Sequence, residues 1–403
     1  MPIIRRRRSR ASSSNSGQIL SSSSAIIIAS NDDILIQILV CLPPKSLLRF
    51  KTVSKHWLSL ITDPKFKPKH NSKTISGLFA CCLSRQSNAE YDFINLKSPN
   101  PSRPPFRSLN FVDDPLGVHI LQSCNGLMLC RSYRANPQEA TCYIYNPTTK
   151  QYTVLPGTQG SNDPSWDLKI IYDVKLAFDP SKSPYYKVIC IYDSDLPNHY
   201  QMEIYSSKSG GPWKKLLGSP FTAPDNGHFS NGVYWNGAIH WFNVWGTSLC
   251  FDVEEEKFRE IPMPTFRGDS RFRHLEESRG HLYLMEVIDD SDTLVYDLYE
   301  MERDYSGWFL KYEVDFHPIA AAFPEMFCDS DIYPYLYSIL GIVQEECDDD
   351  SFLVLYIPDK AIRYNFKDGS FTMLHDFAPF RNRFEGSLEY HYAHQFIESF
   401  ACV

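Results

Sequence analysis

Apolar positions along this chain follow two rhythms, and the change between them falls near residue 70. Between Asn31 and Asp63 they recur at helical spacing. Ile34, Leu35, Ile38, Leu39 and Leu42 form one stripe. Asn31 and Asp32 suit its N-cap, and the charge of Asp33 suits the positive end of the helix dipole. Pro43-Pro44 ends that helix, because proline lacks the amide hydrogen and restricts the residue before it. Pro44 also suits the first turn of a second helix, running from Lys45 to about Lys51 with Leu47, Leu48 and Phe50. A third helix is predicted from Val53 to Ile61, with Val53, Trp57, Leu60 and Ile61 on one side, and Asp63-Pro64 closes it. Three short amphipathic helices make a poor core by themselves, so a partner surface is the expected source of further burial.

From about Ser76 the helical spacing gives way to short aromatic and β-branched runs bounded by Asn, Asp, Gly and Pro, which predict strands and turns. A cassette of strand, polar turn and strand recurs five times: Tyr143–Pro156, Met202–Leu216, Leu249–Ile261, Leu294–Val314 and Ala361–Leu374. Most cassettes have a leading strand pair, marked by Asn125-Gly, Asn236-Gly and Arg279-Gly, and by Asp350–Tyr356 without the glycine. The cassette ends, near Leu155, Leu216, Ile261, Val314 and Leu374, are 61, 45, 53 and 60 residues apart. Propeller blades repeat at roughly 40–50 residues, longer with loop insertions. The expected fold class is therefore mainly β: a small N-terminal three-helix domain followed by a large all-β, propeller-like domain of irregular repeated hairpins. The spacing fits roughly five to seven blades, with a β-sandwich pair as the alternative. Phe384–Val403 is again aromatic-rich and is the expected closing strand, removing exposed edges. The domain reading is a tail over 1–29, a helical domain over 30–70 and a β-domain over 71–403.

Residues 42–64, Leu-Pro-Pro-Lys-Ser-Leu-Leu-Arg-Phe-Lys-Thr-Val-Ser-Lys-His-Trp-Leu-Ser-Leu-Ile-Thr-Asp-Pro, resemble a plant-type F-box. Asn31-Asp-Asp-Ile-Leu stands where F-boxes more often open with Leu-Pro. The rest is similar to the F-box-associated domain of plants, itself related in pattern to kelch-type F-box proteins. The similarity is carried by Cys124-Asn-Gly-Leu, Tyr145-Asn-Pro-Thr-Thr-Lys, Phe178-Asp-Pro and Val233-Tyr-Trp-Asn-Gly-Ala-Ile-His-Trp. The paired glycines of regular kelch repeats are missing. The resemblance implies a Skp-family adaptor as partner and, through it, the cullin and RING subunits of a ubiquitin ligase. Carried onto this chain, the adaptor-facing candidates are Ile34, Leu35, Ile38, Leu42, Pro43, Leu47, Leu48, Val53 and Trp57. Some of these must instead hold the three helices together.

Composition adds three points. The 24 Tyr and 26 Phe favour strands, and 27 Pro against 19 Gly imply frequent breaks. The net charge of −8 is uneven: Arg5, Arg6, Arg7, Arg8 and Arg10 put positive charge at the tip and leave an acidic body, which argues against nucleic acid as the main partner. The Arg tip suits either an import signal or a solvated tail, and the Arg/Ser-rich stretch over 1–24 is expected to be disordered. Ala25–Ala29 is too short for a secretory signal, and no run reaches the length of a membrane span. Eleven scattered Cys without a Cys-x-x-Cys pair point to a reducing, intracellular setting, nucleus and/or cytoplasm.

Catalytic and metal signatures are absent from the sequence, which holds no His-Glu-x-x-His, Gly-x-Ser-x-Gly, P-loop or Gly-x-Gly-x-x-Gly. His391 and His394, three apart in a strand, fall on opposite faces, and Cys124 and Cys130 have no neighbouring base. No cofactor or metal is expected. Glu254-Glu-Glu and Asp348-Asp-Asp sit where hairpin turns belong. Trp235, Trp241 and Trp245, around His240 and Asn243, are the candidates for client contact, since aromatics concentrate at hot spots and loops carry recognition. The same residues serve equally well as propeller core. The leading expectation is a non-catalytic substrate receptor for an unknown client protein. A propeller-type enzyme or carbohydrate-binding protein with a helical leader is the second reading, and a regulatory F-box protein that recruits no client is the third.

Overall fold

The first helix cap and most strand turns appear where the two rhythms place them, while the third helix begins at Lys55, two residues after the expected Val53. The computed structural model describes residues 28, 31–42, 44–63, 66, 74–82, 90–97, 105–114, 116–134, 140–158, 169–224, 229–243, 247–264, 273–287, 294–328, 335–377 and 390–403. Contacts divide the chain into two units, Met1–His70 and Asn71–Val403, and each is taken by itself. Pro43, Trp245 and the Arg/Ser-rich stretch lie outside the described residues. No helix among the described residues is long and apolar enough to cross a membrane.

The first unit holds α1 (Asp32–Leu39), α2 (Pro44–Phe50) and α3 (Lys55–Thr62). Asn31 Oδ1 accepts the amide of Ile34 at 3.2 Å, and Ser54 Oγ accepts that of Trp57 at 3.1 Å. Each bond satisfies one of the donors that a helix start leaves open. Leu35 and Leu39, one turn apart, are buried together with Leu47 and Ile61. The Phe50 ring lies 5.1 Å from that of Trp57, and His56 meets Asp32 at 2.9 Å.

The second unit is a six-bladed propeller. Blade 1 is β3 (Val118–Cys124), β4 (Leu127–Ser132), β5 (Cys142–Asn146) and β6 (Gln151–Val154). Blade 2 is β7 (Ile171–Ala177), β8 (Lys187–Asp193), β9 (Tyr200–Ser206) and β10 (Lys214–Lys215). Blade 3 is β11 (Val233–Trp235), β12 (Ala238–Trp241), β13 (Ser248–Asp252) and β14 (Lys257–Ile261). Blade 4 is β15 (Arg273–Ser278), β16 (His281–Val287), β17 (Val295–Met301) and β18 (Trp308–Asp315). Blade 5 is β19 (Ser338–Val343), β20 (Phe352–Ile357), β21 (Lys360–Asn365) and β22 (Phe371–Asp376), reached through a short helix α4 (His317–Ala322). Blade 6 joins the two ends of the unit: β1 (Gly77–Cys82) lies between β2 (Tyr91–Asn95) and β23 (Tyr390–Phe396), with Gly77 opposite Phe396. The inner strands β3, β7, β11, β15, β19 and β23 touch in that order, and β23 returns to β3. The ring is therefore closed by the last strand, as the aromatic run after Phe384 led one to expect.

The second hairpin of each of blades 1 to 5 is one of the five recurring cassettes. The leading pairs are β3–β4, β11–β12 and β15–β16, turning on Asn125-Gly126, Asn236-Gly237 and Arg279-Gly280 with positive φ at both residues. Such turns match the strand twist, and glycine takes the second position without steric cost. The β7–β8 pair was not among the predicted leaders, because it turns through Phe178–Tyr186 with no Asn-Gly pair. The acidic runs fall in turns, Glu254 and Glu255 donating their amides to Asp252 Oδ1 and Asp348–Asp350 forming one turn of 3₁₀ helix.

Packing lies between blades rather than within them, since a single sheet cannot hide both its faces. Apolar clusters fill the seams. Between blades 4 and 5, Tyr296, Phe316 and Leu355 belong to the largest of these; between blades 1 and 2 the cluster includes Phe178, Tyr186 and Trp213. The seam between blades 3 and 4 is the thinnest among the described residues, with two small clusters around Trp235, Leu282 and Met301 and around Ala238, Cys250 and Ile261.

Candidate functional site

Two surfaces carry function-bearing geometry, one on each unit. On the helical unit the apolar residues of α1 split into two rows. Leu35 and Leu39 point inward, whereas Ile34 and Ile38 on the next face are 38% and 44% exposed. Val53 at 58% and Leu58 at 42% add to the outward set, while Leu42 and Trp57 are half-buried. Leu35 and Leu47, two of the adaptor-facing candidates, are thus corrected to internal core. The side chain of Leu48 lies outside the described residues. Leu58 was missed because it falls off the stripe of α3, and exposure alone brings it in. A unit this small that leaves four large aliphatic side chains in water presents a surface suited to a partner.

On the propeller, Trp235 and Trp241 are buried, which corrects them as client-contact residues. Their positions have a different use. Trp235 Nε1 donates to Gly280 O at 2.8 Å, tying blade 3 to blade 4. Trp241 Nε1 donates to Asp173 Oδ2 at 2.8 Å, tying blade 3 to blade 2, and the amide of Gly232 shares that carboxylate at 3.2 Å. A side-chain carbon at Gly232 would fall 2.5 Å from Trp241 Nε1, so only glycine fits there. Asn125 Nδ2 donates to Phe178 O at 2.7 Å, joining blade 1 to blade 2. Asn146 is fully buried beneath the tail that follows β23. It donates through Nδ2 to the carbonyls of Ser399 and Ala401 at 3.1 and 2.8 Å, and accepts the amides of Thr148 and Thr149. Gly126 touches the same tail, where an added carbon would collide with Ser399 Cβ. The recurring motifs of the β-domain are therefore stitches between blades and to the tail that follows β23.

The stitches at Asn125, Trp235 and Asn146 lie on one rim, whereas Trp241 and Gly232 hold Asp173 at the opposite end of their strands. The turns β3–β4, β11–β12 and β15–β16 and the loops β7–β8 and β17–β18 surround a cavity of about 180 Å³, whose lining includes Asn125, Asp179, Lys182, Asn236, Glu277 and Arg303. A second cavity of about 250 Å³ adjoins it at the thin seam, sharing Asn236 and lined by Asp252, Arg259, Glu260 and Tyr305. Below the seam His240 is fully buried, and burial pushes its imidazole down to about 4. It is neutral, so Nδ1 donates to Val233 O at 3.3 Å and Nε2 accepts the hydroxyl of Tyr305 at 3.0 Å. That bond pins the β17–β18 loop from inside.

Reactive chemistry is not gathered anywhere among the described residues. No group of three His, Cys, Asp or Glu could hold a metal ion there. The thiols of Cys124 and Cys130 are buried, and burial pushes both well up from the ordinary cysteine range. His394 lies in β23 and is buried, its imidazole pushed down to about 3 by burial and by the charge of Lys175.

Comparisons with known proteins agree with this division of the chain. A family model described as the F-box domain matches residues 31–69, and one described as the F-box associated beta propeller domain matches residues 79–308. An F-box protein of Arabidopsis thaliana is 38% identical over a 402-residue alignment that covers 92% of this chain and 91% of its own length. F-box only protein 8 of Arabidopsis thaliana is 30% identical over 260 residues, 59% of this chain and 81% of its own. Among solved structures, a Bacteroides thetaiotaomicron protein of unknown function aligns with a TM-score of 0.35 and 14% identity over 65% of this chain and 58% of that one, a likeness too loose to argue from.

Proposed function

Because this chain belongs to the F-box proteins that carry an F-box associated beta propeller domain, we propose that it is the substrate-recognition subunit of a Skp–cullin–F-box ubiquitin ligase. The helical unit binds a Skp-family adaptor, and through it the cullin and RING subunits. The propeller binds a client protein. The observation that carries this reading is the outward set Ile34, Ile38, Val53 and Leu58 on a unit whose buried apolar side chains, among the described residues, are Leu35, Leu39, Leu47 and Ile61. Each of these side chains is 38–58% exposed, so covering one contributes only part of the about 1.5–3 kcal/mol of a full burial, and the set together favours association with a partner. The chain supplies proximity and no chemistry: a tethered client sees a raised effective concentration of the charged enzyme near its lysines. The same reading puts the protein in the nucleus and/or cytoplasm, and a fluorescent fusion tests that placement.

Co-expression of the full chain with a Skp-family adaptor tests the central claim. The parent is expected to co-purify, and Ile38→Asp with Val53→Asp to lose the adaptor while the propeller keeps its thermal transition. Failure of the parent to associate overturns the reading.

A further inference from the structure

We propose that the rim cavity takes a single anionic side chain of a client peptide between Lys182 and Arg303. This rests on the receptor reading and names what the propeller holds. Lys182 and Arg303 both line the cavity, and among the described residues neither has a carboxylate partner. The two carboxylates beside them are engaged by their own turns. Asp179 Oδ1 accepts from the amide and hydroxyl of Ser181 at 3.0 and 2.6 Å, and Glu277 Oε1 accepts the amide of Gly280 at 2.5 Å. One oxygen of each wall carboxylate is thus engaged within its own turn, while the two cations carry no carboxylate partner among the described residues.

The cations also stand on fixed ground. The amide of Lys182 bonds Asp179 O at 3.0 Å, and its Nζ rests over the β11–β12 turn, within 3.5 Å of where a side chain on Gly237 would begin. The carbonyl of Arg303 is held by Asn236 Nδ2 at 3.1 Å, and two residues on Tyr305 is pinned to buried His240. Loops anchored before binding lose little entropy when a ligand arrives. A volume of about 180 Å³ is smaller than the few hundred Å³ that a whole organic ligand fills, and suits one side chain. The acidic turns at Glu254–Glu256 and Asp348–Asp350 lie on the same rim, which repels polyanions such as nucleic acid and leaves a lone anionic group as the fitting ligand.

Two sources offer that group, the carboxylate of Glu or Asp and the phosphate of a phosphorylated residue. The test uses the full chain co-expressed with a Skp-family adaptor and purified by its own tag, and arrays of short peptides with Glu, phosphoserine or Gln at the centre of otherwise randomised positions. Retention of the Glu or phosphoserine pool over the Gln pool is expected, weakening with added salt. Their relative strength identifies the source. Lys182→Ala and Arg303→Ala should each weaken binding by roughly tenfold, the size expected for one charge-assisted hydrogen bond, with no change in thermal stability. Equal retention of the Gln pool, retention of none, or unchanged affinity in the double variant overturns the proposal. Adaptor capture is read from the same preparation. Capture without peptide binding sinks the cavity alone, whereas peptide binding without capture sinks the adaptor reading alone.

Discussion

Asn146→Ala probes how the ring is held shut. In the parent this side chain makes four hydrogen bonds, two donated to the tail carbonyls of Ser399 and Ala401 and two accepted from the turn amides of Thr148 and Thr149. The residue is fully buried, so truncation leaves four main-chain groups without these partners in buried or part-buried surroundings. A typical hydrogen bond contributes about 1 kcal/mol net, and an orphaned buried group costs about 1–3 kcal/mol, with water entering the vacated space returning part of it. The expected loss is about 2–4 kcal/mol. It should appear as a lower midpoint in urea unfolding and as faster carboxypeptidase removal of the residues after Phe396. Asn146→Asp separates the two halves of the argument. It can still accept from Thr148 and Thr149 but cannot donate to the tail, and its charge would face two carbonyl oxygens. That contact raises the introduced carboxyl's folded pKa above its unfolded value. The variant's stability should therefore fall as pH rises from about 4 towards 7. An Asn146→Ala chain with the parent's midpoint and the parent's rate of tail digestion would refute the reasoning.

Tyr305→Phe removes only the hydroxyl that caps His240 and should lower stability by about 1 kcal/mol in denaturant titration, with a few-fold weaker retention of anionic peptides through Arg303. Asp114→Asn should show a pH-dependent gap from the parent: the bidentate Arg134 contact holds the Asp114 carboxyl below its ordinary value, so its stabilisation is present above the unfolded pKa near 4 and lost as pH falls through the lower folded value. The two unfolding midpoints should converge on acidification. Gly232→Ala should cost about 1–3 kcal/mol in thermal or urea unfolding, because the new carbon collides with Trp241 and loosens the blade 2–3 seam.

The helical unit was largely legible because its determinants are local. Asn31 and Pro44 act within one turn of where they stand, and helical spacing reports which residues are apolar, whereas the Ser54 cap that starts the third helix at Lys55 was not read. Spacing could not say which apolar residues face inward. Leu35 and Leu47 were credited to a partner because one stripe looks alike from both sides, and only the packing of three helices separates Leu35 from Ile34. Hairpins in the propeller were equally readable from Asn-Gly pairs and polar turns. The roles of Trp235, Trp241 and Asn146 were not, since each is defined by a partner on another blade or at the far end of the chain. Lys182 and Arg303 gave no signal at all: their shared cavity exists only once four blades stand side by side.

Closure by β23 sets an order of events. The strand that must pair with Gly77–Cys82 is separated from it by most of the propeller, and such distant pairings form late. Gln395, on that strand, donates to Glu277 O at 2.7 Å and to Glu276 Oε1 at 2.9 Å, so the wall of the rim cavity is finished only when the strand arrives. All the residues of the helical unit have by then been made. A product stopped short of Tyr390 would keep the whole adaptor hook and lack a completed rim. On the receptor reading, such a fragment would occupy adaptors and deliver nothing, turning a loss at one end of the gene product into interference with the intact copies.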